Sequence, residues 1–377
     1  MLREECRMKP YQATLFTQEE PSPLSIPDEP IFILNNKRYL NFSTLDCLNY
    51  KNNEYLKEAA KLSINETSQT AYSNNHEMLE SLKKHMSEFK KIESMLLFSD
   101  ELSACYALFS IFGPKTVFFI DYETSPSISA ILQYRNVEFY SHHNLEHLNK
   151  IMGIHTDKVI VIDGLYEWLG YTGPINELIK IALENQAVII ANELNSFGLL
   201  GRDGRGFVEL YNLYDITNIE IGSFSKYLGG FGTYIGAKKY LINKISENIN
   251  GIPNPIPKFM VAVDLAGLEL LQNEARNRSM FQKLWTNSRF FINRLKQIGL
   301  KTKSETPVIV VTLNNNDEAQ LFSRRLFNDG ILVAVNKERM RFSISIEHSR
   351  KDLDYALERI ETHFKEIGIV YPDQTQP

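Results

Sequence analysis

Long apolar runs are missing from this chain of 377 residues. None approaches the ~18 residues that a membrane-crossing helix needs, so no transmembrane segment is expected. Cysteine is scarce. Cys6, Cys47 and Cys105 stand far apart, which excludes the paired spacing of a zinc site, and their odd number argues against a disulfide framework. A reducing compartment is the simplest setting. Neither sign of charge dominates: 41 Lys and Arg stand against 46 Asp and Glu, a net of −5. Bulk electrostatics therefore gives no case for a nucleic-acid partner. Residues 1–9 are charged rather than apolar, so no signal peptide is expected. Histidine clusters only at His142, His143 and His147. With no cysteine or carboxylate at ligand spacing, this reads as a solvated loop and helix start, and no metal site is expected. No internal repeat or low-complexity tract occurs.

What remains is ordinary globular material, 43% hydrophobic and 23% charged. Residues 1–30 hold five prolines and the acidic string Glu19-Glu20-Pro21-Ser22-Pro23, and read as an extended arm. Beyond Ile31, short apolar runs alternate with helical periodicity. Strands are predicted at 94–98, 116–120, 158–162, 187–191 and 219–222, with helices at 76–90, 127–133 and 176–185. This alternation predicts an α/β chain with a doubly wound, mainly parallel sheet. After Ile252-Pro253-Asn254-Pro255-Ile256-Pro257 come a helical stretch at 259–298, strands at 308–313, 331–335 and 341–346, and a helix at 351–367. The expected division is an arm to residue 44, a large α/β domain over 45–265 and a smaller α+β domain over 266–377.

The richest string is Gly222-Ser223-Phe224-Ser225-Lys226-Tyr227-Leu228-Gly229-Gly230-Phe231-Gly232, which follows the predicted strand at 219–222. A lysine presented in that turn can form a Schiff base with an aldehyde. The hydroxyls of Ser223 and Ser225 can donate to a phosphate, and the glycines allow close backbone approach. In a doubly wound sheet, ligands sit at the carboxyl ends of the strands. Asn192, Asn195 and the string Ser196-Phe197-Gly198-Leu199-Leu200-Gly201 lie at such an end, with Gly204-Arg205-Gly206 following. Arg341, in Met340-Arg341-Phe342-Ser343, carries a guanidinium suited to a substrate carboxylate.

From about Leu40 to Ile367 these strings resemble the α-oxoamine synthases, acyltransferases of fold type I that depend on pyridoxal 5'-phosphate. Tyr39-Leu40-Asn41-Phe42-Ser43 looks like the opening strand of that family, and Ser73-Asn74-Asn75-His76-Glu77-Met78-Leu79-Glu80 is similar to a second element. Ser196 to Gly206 and the Lys226 string match well. The resemblance implies a fold-type-I, aminotransferase-like fold. It also implies a Schiff base at Lys226, a cofactor lined by Ser99, Ser125, Asn192, Asn195, Ser223 and Ser225, and a substrate carboxylate on Arg341.

Several positions depart from the family pattern. Asn192 and Asn195 stand where the family carries Asp and His, and Thr124-Ser125-Pro126 replaces a ring-stacking histidine. Ser99-Asp100-Glu101 replaces a Ser-Gly-aromatic phosphate turn, and Glu167 follows Asp163-Gly164-Leu165-Tyr166 where the family has serine. An aspartate facing the pyridine nitrogen contributes roughly 4 kcal/mol at 4 Å and an effective dielectric of 20. Asn192 supplies a hydrogen bond but no charge. These changes resemble the non-catalytic first subunit of serine palmitoyltransferase, although that subunit normally lacks the lysine. The leading expectation is such a subunit, serving sphingolipid synthesis by condensing serine with an acyl-CoA. The alternative is a self-sufficient homodimeric α-oxoamine synthase using Lys226. The resemblance further implies a homodimer or a heterodimer with a catalytic subunit. The expected setting is cytoplasmic, with peripheral placement at the endoplasmic reticulum through a partner.

Overall fold

The structure, a computed structural model, describes residues 27–65, 76–250 and 256–371. Most of the expected arm, and Ser73, Asn74 and Asn75, lie outside the described residues.

Strands Ile31–Leu34 (β1) and Lys37–Asn41 (β2) come first, followed by helices Glu54–Asn65 (α1) and His76–Lys90 (α2). Strand and helix then alternate: Ser94–Phe98 (β3), Glu101–Ser110 (α3), Val117–Asp121 (β4), Pro126–Leu132 (α4), Asn136–Tyr140 (β5) and Leu145–Met152 (α5). Lys158–Asp163 (β6), Ile175–Glu184 (α6), Val188–Glu193 (β7), Phe207–Leu210 (α7), Ile219–Ser223 (β8), Thr233–Ala237 (β9) and Lys239–Asn248 (α8) complete the larger part. Two long helices follow, Lys258–Asn277 (α9) and Ser279–Ile298 (α10). The chain ends with Val308–Thr312 (β10), Asn316–Asn328 (α11), Ile331–Leu332 (β11), Ala334–Asn336 (β12), Arg339–Ser343 (β13) and Arg350–Ile367 (α12).

Seven strands form the central sheet, in the order β3-β9-β8-β7-β6-β4-β5. Pairing is parallel from β5 through β8, and β9 runs antiparallel to both its neighbours. Parallel strands are covered on both faces, which is why their sequences read as unbroken apolar runs. Alternate residues feed two cores. Phe118, Ile120, Val159 and Val161 pack on one side, while Phe119, Ile160 and Ile162 pack on the other.

The strand order places a crevice. From β4 the chain moves outward to β5, then crosses back to β6 and continues the opposite way to β7 and β8. The loops leaving β4 and β6 therefore diverge, and such a switch point opens a cleft at the carboxyl ends of the strands. Thr124 and Ser125 lie just beyond β4, and Glu167 lies just beyond β6.

A second, antiparallel sheet of order β10-β13-β12 carries the C-terminal arginines, and β1, β2 and β11 form a third. Helix α12 starts with a capping box between Ser349 and Asp352. Three expectations shift here. The stretch 259–298 is two helices, broken at Arg278, whose φ of 60° is left-handed. The strand at 331–335 splits into β11 and β12. The last strand begins at Arg339, so Arg341 sits in mid-strand, paired with Val310.

Candidate active site

The carboxyl ends of β4, β6 and β7 bring together a buried polar knot. Asp163 and Asn192 are partners in the β6–β7 register. Asn192 donates through Nδ2 to Asp163 Oδ1 at 2.5 Å and to Ser125 Oγ at 3.3 Å, and its Oδ1 accepts from the Leu194 amide at 3.1 Å. Thr124 Oγ1 donates to Asp163 Oδ2 at 2.5 Å. Burial is the largest influence on Asp163, and its pKa is pushed up to about 7 although Thr124 and Asn192 hydrogen-bond to the charged form. Asn195 is buried close by, and its Oδ1 has no hydrogen-bond partner.

Lys226 sits in the β8–β9 turn, which backbone bonds close: Phe224 N to Gly232 O at 3.1 Å and Gly230 N to Phe224 O at 3.1 Å. The Phe231 amide donates to the buried Asp264 at 2.7 Å, tying the turn to α9. Gly232 has φ 72°, and a Cβ there would strike the Phe98 carbonyl, so this position requires glycine. The Ser223 and Ser225 hydroxyls lie 2.8 Å apart. Thr233, opposite Ser223 in the ladder, has a buried hydroxyl without a partner.

Arg341 arrives from the second sheet. On β13, Arg339, Arg341 and Ser343 share one face, and Met340 and Phe342 pack into the core from the other. Arg339 makes a two-bond ion pair with Glu123 at 2.7 and 2.8 Å. Arg341 donates through Nη2 to the Ser43 carbonyl at 2.7 Å and through Nη1 to Glu167. Its guanidinium lies 4.7 Å from the Trp168 ring centre. The other oxygen of Glu167 is 3.5 Å from Lys226 Nζ. One carboxylate thus touches both the lysine and the arginine that the sequence singles out. Burial opposes the charge on Glu167, yet Arg341 and then Lys226 hold its carboxyl below the usual range.

At the far end, Ser99 donates to Asp100 Oδ2 at 3.1 Å, and Asp100 caps α3 by accepting from the Ser103 amide at 2.8 Å. Burial disfavours the Asp100 carboxylate, but the Ser103 and Ser99 donors hold its pKa below the ordinary value. Glu101 accepts from Ser127 at 2.6 Å.

The sequence reading missed two features. His142 is not in a solvated loop. It is buried, with Nδ1 2.9 Å from Asp121 and Nε2 2.8 Å from the Tyr171 hydroxyl. Its position just past the apolar Tyr140 is a hint, but the partners are distant in sequence. The bridging by Glu167 was also missed, because its partners lie 59 and 174 residues away. Among the described residues, no three metal-ligating side chains converge.

No family-level sequence profile matches the chain. The 8-amino-7-oxononanoate synthase of Thermoanaerobacter pseudethanolicus is 29% identical over 372 residues, spanning 92% of this chain and 93% of that protein. The 8-amino-7-oxononanoate synthase 1 of Bacillus subtilis is 26% identical, with 90% and 92% covered. Among solved structures, serine palmitoyltransferase of Sphingomonas wittichii superposes with a TM-score of 0.83 at 20% identity, covering 93% of this chain and 94% of that one. The 8-amino-7-oxononanoate synthase of Francisella tularensis gives 0.77 at 22% identity, with 88% and 99% covered. The chain is thus similar over nine-tenths of its length to 8-amino-7-oxononanoate synthases, and its fold is the one that they share with serine palmitoyltransferase, the fold of the pyridoxal-phosphate-dependent α-oxoamine synthases.

Proposed function

We propose that this chain joins an acyl group from an acyl thioester such as an acyl-CoA to the α-carbon of an amino acid. The amino acid loses its carboxylate as carbon dioxide, the thiol leaves, one proton is taken up, and an α-amino ketone results. The names of its relatives point to that class of product, 8-amino-7-oxononanoate being an amino ketone. The observation that carries the reading is the convergence of Lys226 and Arg341 on one carboxylate, Glu167. An amine and a guanidinium spaced to share one carboxylate suit an α-amino acid.

The lysine side of the site suits pyridoxal phosphate. Asn195 Oδ1 and Thr233 Oγ1 are buried polar atoms in need of partners, and the Ser223 and Ser225 hydroxyls face the same turn. Bound there, the cofactor supplies an aldehyde and an electron-accepting ring. Lys226 would hold the aldehyde and carry a proton at Nζ. Arg341 would orient the amino-acid carboxylate, and Asn192 would position the ring edge by a hydrogen bond without adding charge. Asp100 works against this arrangement, since its carboxylate already takes the helix amide that a phosphate would use.

The test is borohydride reduction of the purified chain with pyridoxal phosphate. We expect a covalent pyridoxyl group on Lys226, none in Lys226→Ala, and amino-ketone formation from an amino acid and an acyl thioester. Asp100, Asn192 and Glu167 together favour a second reading, a serine palmitoyltransferase subunit of the first type. It would work as a heterodimer whose partner holds the catalytic lysine. On that reading the chain alone traps no cofactor and forms product only with the partner.

A further inference from the structure

We propose that Glu167 is a built-in, displaceable stand-in for the substrate carboxylate. It closes the amino-acid seat until a carboxylate-bearing amine replaces it on Arg341. This rests on the functional reading above only for the identity of the ligand as an amino acid.

The geometry comes first. Glu167 spans Lys226 and Arg341 with its two oxygens, one to each cation. Arg341 presents three nitrogens, two of them engaged. Nη1 goes to Glu167 and Nη2 to the Ser43 carbonyl, while Nε is buried without a partner. A guanidinium presents its donors as a planar fork and pairs best with a carboxylate through two parallel bonds. Glu167 takes only one prong of the fork. An incoming carboxylate that took Nη1 and the second proton of Nη2 would make the two parallel bonds of the fork, one more than Glu167 makes.

Glu167 is also held so that its side chain moves while its backbone stays. The turn from Tyr166 to Tyr171 closes on itself, with Gly170 N bonding to Tyr166 O at 2.8 Å and an antiparallel bridge between Tyr166 and Tyr171. The Gly170 carbonyl is fixed in turn by the Glu305 amide at 3.1 Å and the Thr306 hydroxyl at 3.1 Å. The Glu167 side chain is 23% exposed, so it has a path toward solvent, and the buried Arg341 that it leaves is the charge that an incoming carboxylate pairs. A side chain tethered in this way competes at a high effective concentration, and a weakly binding free carboxylate is excluded until Glu167 swings away. The consequence is a site that favours ligands whose contacts beyond the carboxylate are enough to displace Glu167 from Arg341.

Trp168 allows a test that needs neither cofactor nor turnover, since its ring lies on the Arg341 guanidinium. In a Trp285→Phe background, Trp168 is the single remaining tryptophan, and its fluorescence is followed while L-alanine or acetate is added. We expect Glu167→Gln to bind L-alanine on the order of tenfold or more tightly than the parent. Glu167→Ser is expected to do the same, which separates loss of the carboxylate from misfolding of one variant. Adding Arg341→Gln to either variant should erase the gain. Reductive labelling of Lys226 by pyridoxal phosphate should also rise in both variants. Equal affinity in parent and variants, or a gain that survives Arg341→Gln, would overturn the proposal. Tight L-alanine binding in Glu167→Gln without product formation would leave the proposal standing and count against the enzymatic reading instead.

Discussion

Asp163 sets the electrostatics of the switch point because it is buried and shares its two oxygens among Thr124, Ser125 and Asn192. In the folded chain it keeps its proton until about pH 7. In the unfolded chain it loses that proton near the ordinary carboxylate value of about 4. The folded state therefore binds the extra proton between those values, and stability from this group is full at the acid end and lost as pH climbs through 7. Asp163→Asn should remove that slope, so the urea midpoints of the variant should change less between pH 5 and pH 7.5 than those of the parent. A second buried group is Lys90, held between Glu193 at 3.3 Å and Glu220 at 2.9 Å. Lys90→Met would leave two buried carboxylates facing each other. We expect a loss of about 3–5 kcal/mol in denaturant unfolding. Lys226 was legible in the sequence from the serines and glycines around it, and Arg341 only from its place in the series of strings that resemble the family. The role of Glu167 was not, since a glutamate in place of a serine shows what is lost and not which cations it meets.

Helix α3 illustrates a conflict between capping and ligand binding within one element. Asp100 at its N-cap accepts from the Ser103 amide and hydroxyl, at 2.8 and 2.7 Å. Asp100→Ala should cost about 1 kcal/mol in thermal or denaturant unfolding. Asp100→Ser keeps a capping oxygen without the charge, so it should hold stability within a few tenths of a kcal/mol and bind pyridoxal phosphate more tightly in equilibrium dialysis. Affinity equal to the parent would show that the Asp100 charge does not oppose the phosphate. The elements themselves were legible in proportion to their periodicity. Helix α2 reads from its apolar spacing with both ends in place. The strands β4, β6, β7 and β8 shift by one or two residues, because ladder pairing extends them into polar termini such as Asp163 and Glu193. The break between α9 and α10 was illegible, because no glycine or proline marks it. Arg278 adopts φ 60° there, while Glu274 accepts from the Phe281 amide at 2.8 Å. A non-glycine residue in that region carries a cost of about 1–2 kcal/mol, so Arg278→Gly should raise the unfolding midpoint.

At the scale of the whole molecule, the alternation of strand and helix was enough to place a ligand cleft at the carboxyl edge of the sheet. The strand order that locates the cleft between β4 and β6 is a tertiary fact. The same edge carries apolar side chains with nothing over them. Leu102 and Tyr106, one turn apart on α3, are 51% and 54% exposed. Phe231, in the lysine turn, is 42% exposed. Because β3, β4 and β8 run parallel in space, the start of α3, the Ser125 loop and the Lys226 turn all open on one side. Apolar groups gathered around a polar cleft are the mark of a surface that another chain covers. The self-complementary solution is a twofold pair. Sedimentation velocity at micromolar concentration should therefore find a dimer. Leu102→Glu combined with Tyr106→Glu should shift it toward monomer and, with the cleft left open to water, weaken reductive trapping on Lys226. A parent protein that stays monomeric at that concentration would rule out a site completed by a second copy. It would leave a different partner chain as the cover for this edge.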